Sequence, residues 1–277
     1  MEDLLSIFKI TKIDFSKVII KNNSERSSVE HFDLKPRDFI RYAKDDLNNN
    51  DKKGFVNSLT NSKRAIDCQI DTIFYNYGIS FDKIPSASEK LIESLNVNND
   101  LPHKLKMIQA LKFSPSNLTT KTRNFRNRLE HYYQIPNEKE IRESLEIAEL
   151  FIQSCESKIK WVEDDFIITN ESFGYLYPHP FAPVENSHIG YLQMTLYKNN
   201  VSITFDNENK YFKITPTIDK MENEAIVYSQ DNPEFYFLIR ILNSKDDQID
   251  LNESFALLLK YKDYPLPQKN INIENWY

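Results

Sequence analysis

The pattern of apolar residues changes near Asp165, and this change limits how the chain can fold more than any other feature. Before it, apolar residues recur every three or four positions, which is typical of helices that bury one face. After it, short runs of β-branched and aromatic residues alternate with turn-forming pieces such as KNN, DNEN and SKDD. The sequence therefore predicts an α+β protein. An all-helical domain should precede a mostly antiparallel β domain of sandwich or barrel type.

Residues that start or stop helices divide the first part of the chain. Pro36 is favoured at the first position of a helix, and Gly78 is a suitable C-terminal cap for a long second helix. Asn137 and Glu140 form a capping pattern that predicts the start of the last helix. That helix is expected to end near Trp161.

Three regions follow from these boundaries. Residues 1–34 are assigned to an N-terminal extension, residues 35–162 to the helical domain and residues 166–277 to a β-rich domain of unknown role. The extension should contain a short strand at residues 17–21. Strands of the β domain are predicted at residues 166–169, 189–197, 201–205, 211–215, 225–229, 235–242 and 255–262.

Charge is unevenly distributed between the two domains. Residues 1–165 contain 26 Lys and Arg against 26 Asp and Glu, whereas residues 166–277 contain 9 against 15 and carry the whole net charge of −6. Because an acidic surface repels phosphate, a nucleic acid is expected to bind the helical domain and not the β domain.

Cysteine usage and hydropathy indicate the compartment. Cys68 and Cys155 have no metal-type spacing and are interpreted as core residues of two helices. No apolar run approaches the length of a membrane span, and the N-terminus is acidic where a signal peptide would be basic. We therefore expect a cytoplasmic protein that does not contact a membrane.

The helix predicted from about Pro115 to Tyr133 carries the chemistry. At about 100° per residue, Asn127 and His131 are neighbours one turn apart, and Tyr133 returns beside Arg126. An arginine can stabilise charge that develops on phosphorus-bound oxygens, and an imidazole can move protons. Side chains of these two types can cleave RNA without a metal.

A basic stretch surrounds these residues. No Asp or Glu occurs from Leu101 to Leu129. The stretch contains seven cations, which are Lys104, Lys106, Lys112, Lys121, Arg123, Arg126 and Arg128. Such an excess attracts a phosphate backbone, so Lys121, Arg123 and Arg128 are assigned to RNA binding. A helix whose lysines are simply solvated is the alternative that the sequence leaves open.

The motif resembles that of the HEPN domains, which are small helical bundles of toxins, abortive-infection proteins and RNA-processing enzymes. Their hallmark is an Arg followed, after four to six residues, by a His. An Asn often follows the Arg, and several toxins add a Tyr two residues after the His. Arg126, Asn127, His131 and Tyr133 match this extended form. The resemblance covers about residues 35–162.

The resemblance implies a metal-independent endoribonuclease that acts as a homodimer through its helical domain. The ribose 2′-hydroxyl would attack the adjacent phosphorus and leave a 2′,3′-cyclic phosphate. Arg126 and His131 would be catalytic, with Asn127 and Tyr133 in support, and neither a metal nor another cofactor is implied. Related proteins act as toxins or anti-phage effectors, and an antitoxin or regulatory protein is a further partner to expect.

An acid from a neighbouring helix often supports the Arg and His pair in this family. Asp67 and Asp71, four residues apart on the second helix, are the candidates, and two solvated carboxylates are the alternative. His179 and His188 in the β domain lack a Cys or carboxylate at ligand spacing, which favours a surface loop over a metal site.

Two other classes of function remain open at this point. One is a catalytically silent HEPN-like adaptor that binds RNA or a protein, with a ligand-sensing β domain. The other is a plain helical dimerisation domain attached to such a sensor.

Overall fold

A computed structural model of the chain describes residues 3–27, 31–95, 101–115, 118, 137–159, 161–171, 197–244, 248–263 and 273–276. The chain divides into two compact units. The sheet unit consists of Met1–Arg26 and Glu163–Tyr277, and the helical unit is Ser27–Val162. Helices and a mostly antiparallel sheet are both present, so the predicted α+β class is confirmed.

The described elements are numbered in chain order. The helices are α1 (Leu4–Ile10), α2 (Pro36–Asn48), α3 (Lys52–Tyr77), α4 (Ser86–Ser94), α5 (His103–Ala110), α6 (Glu138–Ile159), α7 (Pro233–Ser244) and α8 (Gln248–Tyr261). The strands are β1 (Val18–Ser27), β2 (Trp161–Thr169), β3 (Asn200–Asp206), β4 (Tyr211–Ile218), β5 (Met221–Glu222), β6 (Ile226–Tyr228) and β7 (Ile273–Trp276). None of the helices among these residues is long and apolar enough to cross a membrane.

The long helix α3 is central to the helical unit, because it packs against both α2 and α6. Its buried apolar side chains are Leu59, Ala65, Ile66, Ile70, Ile73, Phe74 and Tyr77. The facing helices contribute Ile40, Ala43 and Leu47 from α2, and Ile141, Ala148, Phe151, Ile152 and Cys155 from α6. The core of this unit therefore lies along one side of α3.

The helix boundaries that depend on local chemistry are confirmed. Helix α2 begins at Pro36, and Gly78 caps α3 in the left-handed conformation with φ of 68°. At the start of α6, the Glu140 amide donates to Asn137 Oδ1 at 2.9 Å, and the Asn137 amide donates to Glu140 Oε2 at 3.1 Å. This reciprocal pair satisfies amides that have no partner within the helix.

The sheet unit contains one open sheet. Its strand order is β5-β4-β3-β2-β1-β7, and β6 also pairs with β4. Strands β2, β3 and β4 are antiparallel, whereas β1 and β7 are parallel. The expectation of a sandwich or barrel is wrong for the described strands. The strand order runs from β5 to β7 without closing, and helices pack against this one sheet.

Two segments predicted as strands are helices. Residues 235–242 lie in α7, and residues 255–261 of the run 255–262 lie in α8. Every side chain from Glu234 to Ser244 is buried. The run 235–242 is short and mostly apolar, and such a run fits a buried strand as well as a buried helix.

Aromatic contacts show why α7 is buried all round. The ring of Phe235 lies 5.5 Å from that of Phe212 on β4, and the ring of Phe237 lies 5.6 Å from that of Phe255 on α8. Helix α7 is therefore in contact with the sheet on one side and with α8 on another.

The N-terminal residues belong to the sheet unit. They were assigned to an extension at residues 1–34, but residues 1–26 contribute α1 and most of β1. The strand predicted at residues 17–21 is confirmed from Val18 onward, as part of β1. Phe8 of α1 packs 6.3 Å from the ring of Phe255, so an apolar face of α1 has its partner in the C-terminal part of the chain.

Gly54 permits a close approach at the start of α3. A Cβ at this position would lie 2.3 Å from the main-chain oxygen of Asp46 on α2. Gly54→Ala should therefore lower the free energy of unfolding by about 1–3 kcal/mol, because the backbone must move. Lys53→Ala is the control, and its effect should stay within about 0.5 kcal/mol. Urea unfolding measures both, and equal midpoints for the two variants would contradict the prediction.

Candidate nucleic-acid interface

The residues of the Arg and His motif lie outside the described residues. They are Arg126, Asn127, His131 and Tyr133, together with the predicted RNA-binding residues Lys121, Arg123 and Arg128. His179 and His188 also lie outside them. The structure describes the helices that precede and follow the motif in the chain, and the candidate acids on α3.

The chain is anchored in the helical unit on both sides of the motif. Before it, the buried ring of Phe113 lies 5.7 Å from that of Tyr77 on α3. Ser154 of α6 donates its hydroxyl to the Phe113 carbonyl oxygen at 3.2 Å. After it, the chain enters α6 at the capped residue Asn137. Both attachment points therefore belong to the same helical unit.

The candidate acid Asp71 is already paired. Its Oδ1 lies 2.7 Å from Lys104 Nζ of α5, and the two side chains are 44% and 42% exposed. Lys104 Nζ also lies 5.9 Å from the ring centroid of Phe81. An ion pair this exposed contributes little to stability, but it offsets one of the seven cations of the basic stretch. Asp67 is half-buried one turn earlier on α3.

A groove of about 780 Å³ between α2 and α6 is the second charged feature of the helical unit. Three cations of α2 line it, namely Arg37, Arg41 and Lys44. Each is matched by an acid: Arg37 binds Glu156, Lys44 lies 2.5 Å from Glu149, and Arg41 lies 3.0 Å from Asp38. The hydrogen bond that the Arg37 guanidinium donates to Glu156 raises the pKa of Arg37. Because these charges are compensated, the groove is poorly suited to a phosphate backbone.

The two cysteines differ in their surroundings. Cys155 is buried in the core as predicted, and burial raises the pKa of its thiol. Cys68 is only half-buried, so its assignment to the core is wrong. Its Sγ lies 3.4 Å from the Leu34 carbonyl oxygen, and partial burial raises its pKa too, which argues against an activated nucleophile. The described residues contain no cluster of three or more potential metal ligands.

An aromatic stack on the surface of the helical unit was not found by sequence reasoning. The rings of His31 and Tyr75 have centroids 3.6 Å apart and planes within 8° of each other. The rings of Phe32 and His31 have centroids 5.1 Å apart and planes at 64° to each other. Tyr75 and Phe32 are 38% and 39% exposed. Residues so far apart in the sequence give no local signal that they stack.

No protein-family model, curated protein or solved structure matches this chain. The resemblance to HEPN domains therefore depends on the motif and on its setting between helices.

Breaking the ion pair between Asp71 and Lys104 tests whether the surface around these two residues binds RNA. Asp71→Asn should strengthen binding of single-stranded RNA about 2- to 5-fold at low salt, because it releases the charge of Lys104. The slope of log affinity against log salt concentration should steepen by about 0.7. Asp45→Asn removes an equal charge from α2 and is the control. An identical gain in both variants would mean that only net charge matters. A loss of cleavage in Asp71→Asn alone would instead assign the carboxylate to catalysis.

Proposed function

We propose that the protein is a metal-independent endoribonuclease of the HEPN type. The observation that carries this proposal is the set of Arg126, Asn127, His131 and Tyr133 at the spacing of the extended HEPN motif. Two further features support it. The motif lies between α5 and α6 of a helical unit, and no Asp or Glu occurs from Leu101 to Leu129.

The proposed reaction needs a base, an acid and a group that stabilises charge. The 2′-oxygen forms a bond to phosphorus while the bond from phosphorus to the 5′-oxygen breaks. A base removes the proton of the 2′-hydroxyl, and an acid gives a proton to the departing 5′-oxygen. His131 fills one of these roles. Arg126 stabilises the charge on the phosphoryl oxygens with its planar donor fork, and Asn127 and Tyr133 orient these groups or the phosphate.

Substitution of the two central residues tests the proposal. Arg126→Ala and His131→Ala should each reduce RNA cleavage in EDTA by about 10²- to 10⁴-fold, because each removes a group that acts in the transition state. Arg142→Ala and His103→Ala change the same residue types at exposed positions of the helical unit and should cleave normally. The product should carry a 2′,3′-cyclic phosphate. Full activity in either motif variant would refute the assignment. Binding without cleavage in the unmutated protein would favour the adaptor.

A single motif supplies one imidazole, whereas the reaction needs both an acid and a base. We therefore propose a homodimer through the helical unit, in which two motifs form one composite site. Light scattering of the full chain should report a dimer. Excess His131→Ala protein should then inhibit the unmutated protein after subunit exchange, because mixed dimers lack one imidazole. Full activity of a strictly monomeric protein would contradict this mechanism.

The sheet unit is proposed to regulate the nuclease or to recruit a partner. Its residues 166–277 carry a net charge of −6, which disfavours phosphate binding. An acidic regulatory unit joined to an RNA-cleaving unit suits a cytoplasmic toxin or anti-phage effector whose activity is held in check by an antitoxin or another regulatory protein.

A further inference from the structure

We propose that the stack of His31 on Tyr75 is a platform for one unpaired base of a single-stranded RNA. This proposal rests on the proposed endoribonuclease function only in taking RNA as the ligand. It adds a binding position that is separate from the motif residues, and it specifies a single strand.

The geometry is that of a stack which another ring can extend. His31 and Tyr75 lie with centroids 3.6 Å apart and planes within 8°, close to the spacing of about 3.4 Å between successive bases of a strand. Tyr75 covers one face of the His31 ring, and His31 remains exposed to solvent. A nucleobase on the other face would continue the stack. Proteins that recognise single-stranded RNA stack its bases on Phe, Tyr, Trp or His rings in this way.

The platform is held in place by the helical unit. Tyr75 lies in the last turn of α3, where its neighbours Phe74 and Asn76 are buried. The segment that carries His31 is attached to α3 through the contact of Cys68 Sγ with the Leu34 carbonyl oxygen. A platform fixed before binding loses less conformational entropy when a base arrives.

The ion pair beside the platform indicates whether the platform binds a base or a phosphate of the RNA. Asp71, one turn before Tyr75, is paired with Lys104, so these two charges compensate each other. Lys104 is therefore not an uncompensated cation that could bind a phosphate here. A base should supply the contact at this position, and phosphate contacts should come from other cations. Duplex RNA hides its base faces, so a single strand is the expected ligand.

Binding of an RNA that cannot be cleaved tests the platform. A 2′-O-methyl oligonucleotide has no free 2′-hydroxyl to attack phosphorus, so the unmutated full chain binds it without turnover. Tyr75→Leu and His31→Leu should each weaken binding about 5- to 30-fold. Tyr75→Phe keeps the ring and should bind normally. Tyr42→Leu removes an aromatic ring from α2, outside the stack, and should also bind normally.

Two further readouts separate stacking from a loss of charge or of fold. The slope of log affinity against log salt should be the same for Tyr75→Leu and the unmutated protein, because no phosphate contact is removed. A 2-aminopurine base in the oligonucleotide should be quenched on binding to the unmutated protein and less quenched with Tyr75→Leu. His31 lies outside the helices, so His31→Leu decides the matter if Tyr75→Leu unfolds the unit.

Several results would overturn the proposal. Unchanged affinity in both leucine variants would leave the stack as a protein contact or a plain surface feature. Equal weakening by Tyr75→Phe and Tyr75→Leu would assign the effect to the hydroxyl. The outcome is also distinct from that of the cleavage tests. Weaker binding in the leucine variants, together with normal cleavage by His131→Ala, would retain the platform and remove the proposed nuclease mechanism.

Discussion

Burial of one face of α3 is the interaction on which the helical unit depends. Each apolar side chain that leaves water there contributes about 1.5–3 kcal/mol, and the contributions run the length of the helix from Leu59 to Tyr77. Because the helix is held along this length, the positions of the side chains on its other side are fixed as well. Asp67, Asp71 and Tyr75 lie on successive turns of α3, so the packing of the core sets the spacing of the candidate acids and of the aromatic stack.

The sequence predicted those parts of the fold that depend on local chemistry. Pro36, Gly78 and the pair of Asn137 and Glu140 act within one or two turns, and each marks a helix boundary in the structure. Strands β2, β3 and β4 contain the predicted runs 166–169, 201–205 and 211–215, and β6 lies within the predicted run 225–229. The run 189–197 lies outside the described residues. Helix α7 was missed because aromatic and branched residues buried on every side satisfy a strand pattern as well as a helical one.

The same distinction between local and long-range features applies to the candidate site. Arg126, Asn127, His131 and Tyr133 are close in the sequence, so their spacing could be read directly, and their roles remain a proposal. The contact of Asp71 with Lys104 and that of His31 with Tyr75 join residues distant in the chain. Only packing brings such residues together. The sequence therefore suggested a continuous basic stretch where the fold compensates one of its charges and exposes rings nearby.

Insertion of the helical unit into the sheet unit sets an order for synthesis and folding. Strands β1 and β2 are neighbours in the sheet, yet residues 28–160, nearly all of the helical unit, are made between them. During synthesis, the apolar segment Val18–Ile20 of β1 is therefore made well before its neighbours β2 and β7. The helices can form earlier, because their contacts are closer in sequence. The nascent chain passes through a stage at which a chaperone could bind this strand. If the helical unit is the nuclease, its part of the chain is complete before the unit proposed to control it.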